Sequence, residues 1–233
     1  MQATSSAKQA VGEAALRLVE NGMRLGLGTG STVDFFLVAL ARRVQKEGLS
    51  IQGVATSQAT VRRARELGLP LTTLEEAGEL DLAVDGADEV DARFRLIKGG
   101  GGALLREKIV ASAARQVVIL VDESKRVERL GQRFHLPVEI LPFGWQVTSK
   151  KVAALGATPF LRTGPEGGPF VTDNGNSILD CRFPQGILEP VKLHAALSQI
   201  PGVAEVGLFL GLCHVLFVGH ADGRVETATC PPA

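Results

Sequence analysis

The sequence predicts an α/β fold, a parallel sheet flanked by helices that carries a smaller α+β domain. Three observations predict it. Short apolar strands alternate with helices over the first 125 residues. Several of those strands, such as Asp81–Val84 and Val117–Val121, are apolar runs rather than alternating ones, as expected where both faces are covered. From about His135 the rhythm changes to the order β-α-β-β-α-β, which fits a ferredoxin-like unit. The expectation is therefore a Rossmann-like first domain of residues 1–130 plus 208–233. A ferredoxin-like lid or assembly domain of residues 131–207 is inserted before the C-terminal strands.

The elements follow in order. A helix is expected over Ser6–Asn21 and a strand over Arg24–Leu27, and Gly28-Thr29-Gly30 then turns into a helix over Ser31–Lys46. A strand over Ser50–Val54 and a helix over Ser57–Leu67 precede the strand at Asp81, which ends in a cluster of acids. A helix beginning at Ala103 leads to the strand Val117–Val121. In the second domain, strands are expected at Leu136–Leu141, Pro159–Arg162, within Phe170–Phe183, and at Val203–Phe209, with helices at Trp145–Leu155 and Glu189–Ile200. Cys213–Val218 and Val225–Thr229, joined through Asp222-Gly223, read as a hairpin returning to the first domain. In such sheets ligands collect outside the carboxyl ends of the strands, where the motifs below fall.

Composition narrows the function. Lys plus Arg and Asp plus Glu number 25 each, so no net field favours nucleic acid or an anionic membrane. No apolar run approaches the length of a membrane span, and Met1–Ser6 lacks the order of a signal peptide. Three widely spaced cysteines, Cys181, Cys213 and Cys230, fit neither a disulfide framework nor a zinc site. A cytoplasmic protein is expected.

Lys98-Gly99-Gly100-Gly101-Gly102 is the most informative stretch, because four glycines leave backbone N–H groups open to a small ligand and Glu107 lies five residues beyond. On a helical wheel Glu107 shares its side with Ala103, Leu104, Val110, Ala111 and Ala114 and is the only charge there. A structural salt bridge would explain such a carboxylate. A general base of raised pKa, held over a phosphorylated or polyhydroxy substrate, explains it with the loop included.

Gly26-Leu27-Gly28-Thr29-Gly30-Ser31-Thr32 joins a strand to a helix whose N-terminus favours an anion, and Ser31 or Thr32 is expected to cap that helix. A dinucleotide fingerprint needs a third glycine where Ser31 stands and an acid after the next strand, which instead ends Ala55-Thr56-Ser57. A nucleotide loop needs a lysine that is absent. A small-ligand phosphate fits better, and a purely structural turn stays open. In Asp85-Gly86-Ala87-Asp88-Glu89-Val90-Asp91, Asp85 and Asp88 are placed to bond sugar hydroxyls or move a proton, while one or two of the acids are expected to be inert. A metal here lacks calcium-loop spacing and a nearby histidine. Lys125 ends a strand on the same edge, Lys8 is ambiguous, and the four histidines and Cys213 read as packing or surface.

Taken together, Gly28-Thr29-Gly30-Ser31-Thr32, Asp85-Gly86-Ala87-Asp88-Glu89, Lys98-Gly99-Gly100-Gly101 with Arg106-Glu107-Lys108, and Asp122-Glu123-Ser124-Lys125 make the chain resemble the A-type ribose-5-phosphate isomerases over essentially its whole length. The resemblance implies interconversion of ribose 5-phosphate and ribulose 5-phosphate in the non-oxidative pentose phosphate pathway, with no metal or organic cofactor. It implies Glu107 as the base acting through a cis-enediol(ate) and Lys98 beside the developing negative charge. Asp85 would assist ring opening and Asp88 would bind hydroxyls. Thr29, Gly30, Ser31, Thr32, Gly86, Ala87, Gly99, Gly100, Gly101 and Lys125 would contact substrate. Homodimers or homotetramers would form through the second domain. The rival readings are a sugar-phosphate sensor without catalysis, a sugar-phosphate deaminase or lactonase and, more distantly, an NAD-dependent oxidoreductase.

Overall fold

The computed structural model describes residues 2–230, so Met1 and residues 231–233, the extreme ends of the expected first domain, lie outside the described residues. The chain divides into two compact units. Residues 1–87, 106–125 and 211–233 form the first, and residues 88–105 and 126–210 the second. This division differs from the expected one chiefly at 88–105 and 126–130, which group with the second unit.

The first unit is built on a six-stranded sheet. Its strands are β1 (Arg24–Leu27), β2 (Gln52–Ala55), β3 (Leu80–Gly86), β6 (Ala114–Asp122), β12 (Val215–Gly219) and β13 (Val225–Thr229), in the spatial order β13-β12-β6-β3-β1-β2. All pairs are parallel except the terminal hairpin β12–β13. The helix α1 (Gln2–Ala15) precedes β1, and α2 (Ser31–Glu47), α3 (Gln58–Glu66), the short α4 (Leu74–Ala77) and α5 (Leu104–Ser112) lie between strands. The apolar stripe of α2, with Val33, Phe36, Leu37 and Leu40, joins Val11 and Ala15 of α1 and Leu25, Leu27, Leu82, Val84, Val118 and Leu120 of the sheet in one core. Burial of such side chains supplies most of the drive to fold, at roughly 25 cal/mol per Å².

The second unit holds a four-stranded antiparallel sheet. Its members are β7 (Leu136–Ile140), β8 (Thr158–Leu161), β9 (Ser177–Arg182) and β10 (Val203–Val206), in the order β10-β7-β9-β8, with α6 (Trp145–Ala153) and α7 (Pro190–Ser198) between them. The sequence order β-α-β-β-α-β with this strand order is the ferredoxin-like arrangement. Leu136, Val138, Ile140, Leu179, Cys181, Leu197 and Val206 fill its core. A small three-stranded sheet, β11-β5-β4, pairs Leu208–Phe209 with Leu96–Ile97 and Leu96–Ile97 with Glu89–Val90. That pairing is why residues 88–105 belong with the second unit.

Several expected elements are corrected. Val203–Phe209 is not one strand, because the chain changes sheets at Gly207, where a Cβ would lie 2.5 Å from the Lys98 carbonyl oxygen and 2.7 Å from that of Pro137. Gly207 instead accepts from the Lys98 N–H and donates to the Pro137 carbonyl. Phe170–Phe183 holds one strand, and Phe170–Thr172 is loop. Ala114 opens β6 rather than continuing α5. Cys213 precedes β12 and is buried, which pushes its thiol up to about 12. No described helix is long and apolar enough to cross a membrane.

Candidate active site

In the first unit the candidate residues gather at the carboxyl ends of β1, β3 and β6. Gly28 leaves β1 by donating to the Val84 carbonyl oxygen (2.9 Å), and Thr29 N–H donates to Asp85 Oδ1 (3.1 Å), which also accepts from Gly86 N–H (2.8 Å). Asp85, almost fully buried, therefore ties the two loops together. A Cβ on Gly28 would overlap the Asp85 carboxylate and stand 2.7 Å from its Cα, so this approach requires glycine. Gly28→Ala is expected to cost about 1–3 kcal/mol through overpacking, read as a melting temperature lower by about 2–4 °C per kcal/mol for a chain of this size. An unchanged melting temperature would show that the two loops are not this tightly joined.

Gly30, at φ 120°, is the N-cap of α2, and no side chain caps the helix. The expected cap by Ser31 or Thr32 is thus corrected: Ser31 is the first helical residue, and its Oγ accepts from Lys8 Nζ at 2.8 Å. An exposed hydroxyl, a lysine and the amino end of a 17-residue helix together form a corner whose chemistry suits an anion. Lys125 sits in the 3₁₀ turn after β6 rather than in the strand, beside Ser124, which gives its N–H (3.0 Å) and its hydroxyl to the buried Asp122.

A group of hydroxyls escaped sequence reasoning. Thr29 Oγ1 lies 2.8 Å from the Thr56 and Ser57 hydroxyls and 3.0 Å from that of Thr60, while Thr60 Oγ1 donates to the Gly28 carbonyl (2.8 Å). In the sequence the run Thr56-Ser57, followed by Thr60, stands out only for the acid it lacks. Its hydroxyls at the end of β2, with Ser57 capping α3, were the available signal.

Glu107 falls in the first turn of α5 and is 5% exposed. Leu104, Val110 and Ala111 of the same helix are buried, whereas Ile109 is exposed, so the carboxylate is on the covered side as the wheel predicts. Gly26 of β1 lets that helix approach, since a Cβ there would stand 2.5 Å from Val110 Cγ1.

In the second unit Asp88 Oδ2 accepts from Gly100 N–H at 2.7 Å. Lys98 is 4% exposed, with its Nζ 5.4 Å from the centre of the Phe209 ring. Gly99 and Gly102 have φ of 107° and 80°, conformations that glycine adopts without strain, and Gly100 and Gly101 are exposed. Two acids of the cluster are structural. Glu89 accepts from the N–H groups of Gly131, Arg133 and Phe134 at 2.6–2.7 Å, and Asp91 accepts from the Arg93 and Arg95 backbone and pairs with the Arg95 guanidinium. Arg162, distant in sequence and without any local signal, donates to the carbonyls of Gly99 (2.9 Å) and Gly100 (3.1 Å).

The four histidines make no catalytic cluster among the described residues. His214 Nδ1 accepts from Val117 N–H, His220 pairs with Glu123 at 3.1 Å, and His135 stacks on Phe160. No group of three or more His, Cys, Asp or Glu side chains converges as a cation site among the described residues.

The family model described as ribose 5-phosphate isomerase A (phosphoriboisomerase A) matches residues 52–223. The chain is 53% identical over 223 residues to ribose-5-phosphate isomerase A of Roseiflexus castenholzii, spanning 95% of this chain and 94% of that protein. It is 49% identical over 228 residues to the Synechococcus sp. protein of the same name, spanning 97% and 98%. The solved ribose 5-phosphate isomerase A of Methanocaldococcus jannaschii superposes with a TM-score of 0.91 at 40% identity, over 96% of this chain and 98% of that one. A D-ribose-5-phosphate isomerase in complex with phospho-erythronic acid superposes with a TM-score of 0.92 at 38% identity, over 96% and 97%.

Proposed function

The chain belongs to the ribose 5-phosphate isomerase A family and is an aldose–ketose isomerase of D-ribose 5-phosphate and D-ribulose 5-phosphate, and we propose that Glu107 moves its proton. Glu107 removes the hydrogen on C2 of the open-chain aldose. The C–H electrons form the C1–C2 double bond, and the carbonyl electrons move onto O1. Return of the proton to C1, with transfer of the O2 hydroxyl proton to O1, leaves the ketose. The observation that supports this reading best is the near-complete burial of Glu107 one turn into the helix that follows the glycine loop. A base shielded from bulk water passes its proton between the two carbons while exchanging a share of it with solvent.

The other catalytic and hydroxyl-binding roles are those that the family resemblance implies. Lys98 supplies fixed positive charge where the enediolate oxygen becomes negative, and the N–H groups of Gly99 and Gly101 add donors. Asp85 assists ring opening and Asp88 bonds sugar hydroxyls. Ser31, Thr32, Lys8 and the amino end of α2 hold the phosphate, with Lys125 as a further cation. Pentose 5-phosphates should then inhibit far more strongly than unphosphorylated pentoses, and the difference should shrink in Lys8→Met. Equal inhibition by both sugar classes would contradict the phosphate site.

Assembly into a homodimer or homotetramer is supported by apolar side chains left exposed on the second unit, including Phe143 at 94% and Val147 at 60%. Light scattering measures the assembly directly. The free thiols of all three cysteines suit a cytoplasmic setting.

A further inference from the structure

We infer that Arg162, locked by Asp180, is a positioning residue that aims the Gly101 N–H of the Gly99–Gly102 loop at the enediolate oxygen. The inference rests on the isomerase reading above and adds residues outside the motif set. Arg162 lies at the end of β8, about sixty residues from the loop in sequence. Its Nη1 donates to two successive carbonyl oxygens, of Gly99 at 2.9 Å and Gly100 at 3.1 Å. The other side of the guanidinium is fixed by Asp180 of β9, through Nε at 2.8 Å and Nη2 at 2.5 Å. The guanidinium also lies 5.6 Å from the centre of the Phe170 ring. That ring in turn occupies the space a Cβ on Gly102 would need, 2.5 Å away. A planar fork held on three sides has little freedom left.

The consequence is stereochemical. The peptide bonds are trans, so each carbonyl points opposite to the next residue's N–H. Drawing the Gly99 carbonyl onto Arg162 turns Gly100 N–H the other way, where Asp88 accepts it. Drawing the Gly100 carbonyl onto Arg162 turns Gly101 N–H away in the same manner. Gly101 is exposed, and its N–H has no acceptor among the described residues. The cation also polarises both peptide groups, which strengthens their N–H donors. A loop of four glycines has no side chains to hold such an orientation, and beyond the turn in which Gly102 N–H donates to the Gly99 carbonyl (3.0 Å) Arg162 supplies the constraint.

The test compares Arg162→Gln with the double variant Arg162→Gln/Asp180→Asn, which removes both charges and so avoids a stranded carboxylate if the single variant folds poorly. The readouts are kcat, KM for ribose 5-phosphate, and the inhibition constants of phospho-erythronic acid and inorganic phosphate. Removing one oxyanion donor outright costs on the order of 10²–10³-fold, so misaiming one is expected to lower kcat by about 10–100-fold. Affinity for phospho-erythronic acid should weaken by a similar factor, while KM and the phosphate constant stay within about threefold. Arg162→Lys, which keeps the charge but not the fork, should recover part of the loss. Retention of kcat and phospho-erythronic acid affinity within twofold by a folded variant overturns the inference. So does a loss shared equally by kcat, KM and phosphate binding. Glu107→Gln run in parallel separates the two readings. A normal Arg162 variant beside an inactive Glu107 variant sinks the clamp alone, and an active Glu107 variant beside impaired Arg162 variants sinks the base assignment alone.

Discussion

Glu107→Gln is expected to fold, to keep the affinity of the unaltered chain for ribose 5-phosphate, and to lose about 10²- to 10⁴-fold in kcat. The substitution keeps the volume of a side chain that is 5% exposed, so packing on α5 around Leu104, Val110 and Ala111 is preserved. What disappears is the ability to accept a proton from carbon. A carboxamide is still polar and still bonds to neighbours, so ground-state affinity survives and the barrier alone rises. Thermal melting verifies the fold, and a coupled assay of ketose formation gives the rate. Turnover within a few-fold of the unaltered enzyme would show that another group moves the proton.

Lys98→Met is expected to lower kcat by about 10²–10³-fold with a smaller change in KM. Methionine matches the length of the lysine stem and keeps an apolar contact with Phe209, whose ring centre lies 5.4 Å from Nζ. The change therefore removes charge while sparing shape. A cation 4% exposed acts in a medium of low dielectric, where its pull on a developing oxyanion is far larger than in water. On the proposed role the charge it meets exists mainly in the transition state and the enediolate, so the loss belongs in kcat. An unchanged kcat with a raised KM would instead make Lys98 a contact to the ground-state sugar or its phosphate.

Much of this was legible from residue order. The alternation of apolar runs and helices gave the parallel sheet, since strands such as β3 and β6 are buried along most of their length and read as continuous apolar stretches. The wheel placed Glu107 on the covered side because burial of a nine-residue helix follows its own periodicity. What stayed hidden depends on contacts distant in sequence. The break at Gly207 between β10 and β11 is imposed by the carbonyls of Lys98 and Pro137, and the glycine inside the apolar run is its one local mark. The inert role of Glu89 rests on N–H groups more than forty residues away. Arg162 reads as one more charged residue at the end of β8 until the glycine loop is folded against it. Neither Ser31 nor Thr32 caps α2, because Gly30, at φ 120°, takes that place and frees the Ser31 hydroxyl for Lys8.

The most direct measurement is exchange of the C2 hydrogen of ribose 5-phosphate with deuterium oxide, followed by magnetic resonance at saturating substrate for the unaltered chain and for Glu107→Gln. The account predicts that exchange and ketose formation fall together in the variant, by about 10²-fold or more. Exchange at C2 continuing in Glu107→Gln at a rate within about threefold of the unaltered chain would contradict it, whatever the fate of the ketose.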